Sequence, residues 1–168
     1  EDAAALVNIE WEPLPVVASG ACALAESAPL VHPDLGSNIL FEKKIRAGDP
    51  AAVFRDADLV IRRNLRFPRL TGVPLESRTL IADFDPTQKT LTLHASSQVP
   101  HQMRSVYATQ LGLEESRVRV IVPDVGGGFG IKLHTYDDEV ATAASSMLIG
   151  RPVKFVSDRF EAFVSDNH

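Results

Sequence analysis

Cysteine is almost absent from this chain, because Cys22 is the only one among 168 residues. A single cysteine excludes an internal disulfide and any metal site built from several cysteines. Long apolar runs are missing too: no stretch approaches the ~18 consecutive apolar residues that suggest a membrane-spanning helix. No signal-peptide pattern is present either. We therefore expect a protein without membrane spans and with a cytoplasmic location.

Concentrated positive charge is lacking as well. The chain has 17 Lys and Arg against 22 Asp and Glu, a formal net charge of -5, and its only basic doublets are Lys43-Lys44 and Arg62-Arg63. A nucleic-acid-binding face needs basic residues gathered on one surface. We therefore exclude nucleic acid as a partner. The apolar share of 45% and the charged share of 23% are those of an ordinary globular protein.

Helical and strand patterns follow one another without a strict alternation. Asp49-Pro50 has the composition of a helix start, Pro100 stands where another first turn would begin, and Gly112 is placed to end that helix. This mixture predicts an α+β fold with a mixed sheet and packed helices. We predict strands at residues 6–12, 38–46, 58–67, 75–85, 90–95, 117–122 and 153–156, with Asp85-Pro86-Thr87-Gln88-Lys89 as a hairpin-sized loop. We predict helices at 1–5, 50–56, 100–111 and 158–163, and a further helix that has Asp137-Asp138-Glu139 in its first turn and ends at Gly150-Arg151-Pro152.

A glycine-rich loop follows the strand predicted at residues 117–122. Its sequence is Gly126-Gly127-Gly128-Phe129-Gly130. Glycine loses the most backbone entropy on folding, so such a run is expected where the backbone approaches another group closely or takes a positive φ. A loop of this kind at the end of a strand can direct its backbone N–H groups at an anionic ligand.

Several interpretations of these residues compete. A phosphate-binding loop of the Walker type needs Ser or Thr after the lysine, but Leu133 follows Lys132. A dinucleotide-binding fingerprint needs a different glycine spacing and a later acidic residue. A purely structural loop stays open. The acidic cluster Asp137-Asp138-Glu139 could be a metal site, but adjacent helical residues point in different directions, so we favour capping of the following helix.

Two segments together resemble the large subunit of the molybdenum hydroxylases. That family includes xanthine dehydrogenase, aldehyde oxidase and the aerobic carbon monoxide dehydrogenase. The resemblance extends over residues 38–168 and includes Pro74-Leu75-Glu76-Ser77-Arg78 and Gly150-Arg151-Pro152-Val153-Lys154. The two segments that carry it are Ser96-Ser97-Gln98-Val99-Pro100-His101 and Pro123-Asp124-Val125-Gly126-Gly127-Gly128-Phe129-Gly130-Ile131-Lys132.

The resemblance implies a division of the chain. Residues 1–17 resemble the last strand of a preceding α/β hammerhead domain, residues 18–37 form a linker, and residues 38–168 form the first part of the molybdopterin-binding domain. The chain begins at Glu1 without methionine and stops soon after Asp158-Arg159. We therefore expect a piece of a larger polypeptide, inactive when expressed alone.

The resemblance also implies a cofactor and its contacts. The cofactor is molybdenum-molybdopterin in its cytosine dinucleotide form, with no direct metal ligand from the protein. Gln98 is the implied catalytic residue, its side-chain amide donating to the oxo group at the apex of the metal. Gly127, Gly128, Phe129 and Gly130 are implied to line the cofactor. The glutamate that serves as general base in this family lies far downstream, and no residue here matches it.

Substrate and partners are implied only in outline. Purine-oxidising members have a glutamate where this chain has Leu133, so an aldehyde, an aromatic heterocycle or carbon monoxide is favoured over a purine. The expected partners are the remainder of the large subunit and iron–sulfur and FAD subunits or domains. Two alternative functions are a nucleotide-binding module and a cofactor-free assembly domain that uses the same glycine loop.

Overall fold

The computed structural model describes residues 2–68 and 70–167. The chain forms two compact units, the first ending at Arg63 and the second beginning at Asn64. Each is described by itself.

The first unit contains three short helices, α1 (Asp2–Ala5), α2 (Gly20–Ala23) and α3 (Pro50–Asp56), with a 3-10 turn at Pro33–Leu35. The α3 helix begins as predicted, because the Asp49 carboxylate accepts a hydrogen bond from the Ala52 N–H group at 3.2 Å. Asn38 closes the segment before it: its side-chain amide donates to the carbonyl groups of Ala23 and Pro29 and accepts from the Val31 N–H group.

The strands predicted at residues 6–12, 38–46 and 58–67 are wrong for this structure. These segments are not assigned to any sheet within residues 2–68 and 70–167. A strand forms only where a neighbouring strand accepts and donates its backbone hydrogen bonds. The apolar side chains that suggested these strands remain exposed, including Trp11 at 83% and Phe41 at 82%.

A four-stranded mixed sheet forms the centre of the second unit, in the order β3-β2-β1-β4. The β1 strand (Thr79–Asp85) pairs antiparallel with both β2 (Thr90–Ala95) and β4 (Val153–Val156). The β3 strand (Val118–Ile121) runs parallel to β2, and the helix α4 (Pro100–Leu111) makes the crossover between them. Two further helices, α5 (Asp137–Ile149) and α6 (Arg159–Ser165), precede and follow β4 in the chain. Short 3-10 turns occupy Glu115–Arg117 and Ile131–Leu133. The predicted α+β fold with a mixed sheet is confirmed.

One face of the sheet is buried under α4 and α5. Alternate residues of β1 and β2 point into this core, which produces the period-2 pattern of the sequence. Ser146 of α5 is fully buried at the edge of the core and has both hydrogen bonds satisfied, since its hydroxyl accepts from the Phe84 N–H group at 3.0 Å and donates to the Arg151 carbonyl at 2.8 Å. The core residues are Leu80, Ala82, Leu91, Leu93, Ala95, Met103, Tyr107, Ala108, Val118 and Ala143.

The start of β1 also differs from prediction. This strand begins at Thr79 rather than at residue 75, because the backbone before it bonds elsewhere: the Leu75 carbonyl accepts from Arg159 and the Glu76 N–H group donates to the Gly126 carbonyl. Helix ends at Gly112 and Gly150 are confirmed: both take left-handed φ values, 67° and 62°. Across the parts of the chain that the structure describes, none of the helices is both long and apolar enough to traverse a bilayer.

Candidate functional site

The glycine loop leaves the region of β3 and enters the 3-10 turn at Ile131–Leu133. Three of its five residues have left-handed backbones: Gly127 at φ 99°, Phe129 at 51° and Gly130 at 89°. Glycine is the residue that adopts this region at no steric cost. Phe129 is the exception, and its side chain is 73% exposed. Backbone strain at a residue other than glycine is typical of functional loops.

Gly126 and Gly128 are required for a different reason, which is close approach. A Cβ atom at Gly128 would overlap Oε1 of Gln98 and lie 2.5 Å from its Cδ atom. A Cβ atom at Gly126 would lie 2.6 Å from Cβ of Glu76. Both gaps are shorter than real Cβ contacts allow. The glycine run therefore combines two requirements, left-handed φ values and contact with neighbouring side chains.

Gln98 lies against the loop, so the fold brings together the two sequence segments that carry the family resemblance. Its backbone N–H group donates to the Lys132 carbonyl at 3.0 Å. Its side-chain oxygen accepts from the Gly130 N–H group at 3.2 Å. Because this oxygen faces an N–H donor, the Nε2 group points its two hydrogens elsewhere. The amide is thus oriented by the loop and keeps a donor for another group.

Three consecutive backbone donors of the loop have no acceptor within the described residues. The Gly126 N–H group donates to Glu76 and the Gly130 N–H group to Gln98, whereas those of Gly127, Gly128 and Phe129 donate to nothing in the described chain. Gly127 and Gly128 are half-buried. Adjacent backbone N–H groups in alternating conformations form a concave site that suits an anion.

A carboxylate fixes the start of the loop. Oε2 of Glu76 accepts three hydrogen bonds, from Nζ of Lys132 at 2.6 Å, from Oγ of Ser96 at 2.6 Å and from the Gly126 N–H group at 2.7 Å. We call Glu76, Ser96, Gly126 and Lys132 the Glu76 cluster. Burial alone would raise the pKa of the Glu76 carboxyl, but these donors outweigh it and lower the pKa to about 2. The carboxylate is therefore ionised at any physiological pH.

The partnership of Glu76 with Lys132 was missed in the sequence. In the sequence, Lys132 stands out only beside the glycine loop and as the last residue of one family segment, and Glu76 only as part of the segment 74–78. The Lys132 side chain is fully buried, and a lysine is rarely buried unless it is paired. Its position between the apolar residues Ile131 and Leu133 was the one signal that could have suggested a buried counter-charge.

A second ionic cluster surrounds Arg78, whose side chain is 1% exposed. Its guanidinium group donates to two carboxylates of α5, twice to Asp138 at 2.8 and 2.7 Å and once to Glu139 at 3.2 Å. It also donates at 2.7 Å to Asp166, the residue that follows α6. The Tyr136 ring stacks on it, with 3.8 Å between Cζ and the ring centroid. One arginine therefore joins the start of β1 to the beginning of α5 and the end of α6.

The contacts of Arg78 explain what the acidic residues at the start of α5 do. Glu139 accepts from the Tyr136 N–H group in a capping box, as the capping prediction requires, but it also shares Arg78 with Asp138. Burial raises the pKa of Glu139 to about 7, despite the nearby guanidinium. Within the described residues no group of three or more His, Cys, Asp or Glu side chains is arranged to hold a metal ion.

The class of protein follows from a family comparison. Residues 31–168 match the family model described as the molybdopterin cofactor-binding domain. The match includes the glycine loop, Gln98 and both ionic clusters. The chain belongs to this family.

Individual relatives share the match. The chain is 37% identical to the carbon monoxide dehydrogenase large chain of Hydrogenophaga pseudoflava, over 99% of this chain and 23% of that protein. It is 36% identical to the xanthine dehydrogenase molybdenum-binding subunit of Escherichia coli O157:H7, over 98% of this chain and 22% of that protein. The crystal structure of quinoline 2-oxidoreductase from Pseudomonas putida 86 superposes with a TM-score of 0.85 at 33% identity, over 96% of this chain and 20% of that one. The chain thus spans about a fifth to a quarter of these relatives.

Proposed function

We propose that this chain is part of the catalytic large subunit of a molybdenum hydroxylase, in which it binds part of the molybdenum-molybdopterin cofactor. When bound, this group supplies the two-electron chemistry of oxidative hydroxylation. The residues fit such a group, because it is anionic and the loop offers three free N–H donors beside an oriented amide. Family membership and the names of the relatives support the same assignment.

The observation that carries the proposal is the orientation of Gln98. Because its Oε1 atom is occupied by the Gly130 N–H group, Nε2 is the half of the amide that remains for the cofactor. We assign Gln98 the role of donating to an oxygen atom of the cofactor. A donor held in place before the reaction stabilises developing charge without reorganisation.

The four loop residues have two roles in this proposal. The N–H groups of Gly127, Gly128 and Phe129 donate to the cofactor, since they have no other acceptor in the described chain. The N–H group of Gly130 is already used, so Gly130 holds the Gln98 side chain instead of donating to the cofactor. The loop therefore acts on the cofactor directly through three groups and indirectly through the fourth.

Substrate and partners complete the proposal. We propose the cytosine dinucleotide form of the cofactor, iron–sulfur clusters and FAD on partner subunits or domains, and cytoplasmic location. Leu133 is partly exposed beside the loop and cannot hydrogen-bond a substrate. We therefore favour an aldehyde, an aromatic heterocycle or carbon monoxide over a purine. We assign no general base to this chain.

The test uses the full-length large subunit in complex with its partner subunits. Metal analysis should find molybdenum and acid release should yield a cytosine nucleotide, each in a one-to-one ratio with the subunit. Gln98→Ala should lower kcat and leave the metal content high. The control is Gln110→Ala, which changes an exposed glutamine of α4 and should leave both quantities unchanged. A native complex without molybdenum would refute the proposal and favour a cofactor-free assembly domain.

A further inference from the structure

We infer that Glu76 and Lys132 are positioning residues, which set the geometry of Gln98 and of the glycine loop toward the cofactor. The inference rests on the proposed function and extends it to two side chains that do not themselves face the free donors. Two sets of hydrogen bonds support it: those of the Lys132 carbonyl and ammonium groups, and those that the Glu76 carboxylate accepts.

Lys132 connects the two halves of the site. Its carbonyl group accepts from the Gln98 N–H group at 3.0 Å and from Oγ of Ser97 at 3.3 Å. Its ammonium group, fully buried, donates to Glu76 at 2.6 Å. A displacement of Lys132 therefore moves the backbone of Gln98. The direction of the Gln98 side-chain amide depends on this backbone, because only the side-chain torsions of Gln98 separate the two.

Glu76 holds the other end of the loop by two contacts in opposite directions. Its carboxylate accepts from the Gly126 N–H group at 2.7 Å, and its own N–H group donates to the Gly126 carbonyl at 3.3 Å. Gly126 immediately precedes the three free donors. A Cβ atom there would meet Glu76, so the two residues are in direct contact. The loop cannot shift relative to Glu76 without breaking these bonds.

The segment that carries Glu76 is itself anchored. Nη2 of Arg159, the first residue of α6, donates to the carbonyl groups of Pro74 at 2.8 Å and Leu75 at 3.1 Å. On the other side of Glu76, Arg78 is buried among carboxylates. Contacts with α5 and α6 thus fix the backbone on both sides of Glu76, and Glu76 in turn fixes the first glycine of the loop.

A buried ion pair is weak grounds for a stabilising role, because well-packed apolar residues often replace such a pair without loss. Removing Glu76 is different, since it leaves the fully buried ammonium group of Lys132 uncompensated. Removing Lys132 should cost less stability, because the Glu76 side chain is 36% exposed. Neither apolar replacement would hold the Gly126 N–H group. The pair is therefore dispensable for stability but needed for position, and the two roles can be separated by mutation.

The experiment compares Glu76→Leu, which removes the acceptor of the Gly126 N–H group, Lys132→Met and the double variant in the full-length large subunit within its complex. The matched control is Glu115→Leu, which removes an exposed carboxylate paired with Arg104. Four quantities are measured at neutral pH: the melting temperature, molybdenum content, the electron paramagnetic resonance signal of Mo(V), and amide hydrogen exchange in the peptide that contains Gly126.

Both single variants should lower the melting temperature and the molybdenum content. The double variant should recover most of the lost melting temperature, because no unpaired charge remains. Its Mo(V) signal should nevertheless still differ from that of wild type. The Gly126 amide should exchange roughly ten- to a hundredfold faster than in wild type, because it has lost a hydrogen bond to a charged acceptor. The control should match wild type throughout.

Two results would overturn the inference. In one, the double variant regains the wild-type signal, exchange rate and molybdenum content together with stability, which would make the pair structural only. In the other, single variants that fold retain all four properties. A wild-type complex without molybdenum would instead refute the proposed function, and the exchange rate of Gly126 would still report whether Glu76 fixes the loop.

Discussion

Gly128→Ala is the smallest change that should disable the candidate site without disturbing the fold. Gly128 has no left-handed φ, so alanine adds no backbone strain of that kind. What alanine adds is one methyl group, which would overlap Oε1 of Gln98 and lie 2.5 Å from Cδ and 2.8 Å from Cγ. The backbone of Gln98 is fixed by Lys132, so the glutamine side chain must rotate away and leave the Gly130 N–H group.

The expected cost differs between stability and catalysis. Gln98 is exposed, and losing its bond to Gly130 should lower the free energy of unfolding by only about 1 kcal/mol. If Gln98 is the oriented donor that we propose, its loss should raise the reaction barrier by roughly 2.7–4 kcal/mol. We therefore expect kcat to fall about a hundred- to a thousandfold with little change in melting temperature.

The assay is steady-state turnover of the purified complex, normalised to its molybdenum content. Gly112→Ala is the matched control, because Gly112 has a left-handed φ of 67° but nothing within 4 Å of a Cβ atom. That variant should lose stability, by about 1–2 kcal/mol, and keep kcat. A double variant, Gly128→Ala with Gln98→Ala, should be no slower than Gln98→Ala alone, since both changes act on one amide.

Two outcomes would contradict this reasoning. Wild-type turnover in Gly128→Ala at full molybdenum content would show that the Gln98 amide tolerates displacement. Strictly additive losses in the double variant would show that the added methyl group impairs turnover by a route other than displacement of the Gln98 amide.

Three further predictions concern charge. Gln98→Glu keeps an oxygen for the Gly130 N–H group but loses the donor, so kcat should fall roughly a hundredfold or more at unchanged molybdenum content; unchanged turnover would remove Gln98 from the site. Arg78→Met leaves its three carboxylates uncompensated and should lower the free energy of unfolding by roughly 3–5 kcal/mol in denaturant titration; a loss below 1 kcal/mol would contradict this. Burial raises the pKa of Glu139 from 4.5 to about 7, so the folded protein binds this proton more tightly than the unfolded chain does. The free energy of unfolding should therefore fall as the pH rises from 4.5 to 7. Glu139→Gln should flatten that part of the stability curve, and an unchanged slope would assign it to other groups.

The central sheet could be predicted because its signals are local. Asp85-Pro86-Thr87-Gln88 indicated the hairpin, and the Asp85 carboxylate does accept from the Thr87 and Gln88 N–H groups. Helices α4 and α5 each end at a glycine with a left-handed φ, as their sequences indicated. Such features depend on residues a few positions apart, so a single chain contains all the information they need.

The candidate site could be predicted only in part. The glycine loop and Gln98 are recognisable from their types and spacing, but the reason for Gly128 is a side chain 30 positions earlier. The two clusters join Glu76 and Arg78 to partners that lie 20 to 88 positions away in the sequence. Nothing in the composition around either residue specifies its partner, because charge pairing at such separations depends on the packed fold.

The left-handed backbone of Phe129 has a consequence for how this loop can evolve. An aromatic residue is held there at a steric cost of about 1–2 kcal/mol that glycine would avoid. Selection for thermal tolerance alone would therefore favour Phe129→Gly, and the ring, largely exposed to solvent, would offer little packing in return. If phenylalanine persists under such selection, the ring is retained for a contact outside this chain. The residue found at position 129 would then report whether a laboratory lineage is still required to use its cofactor.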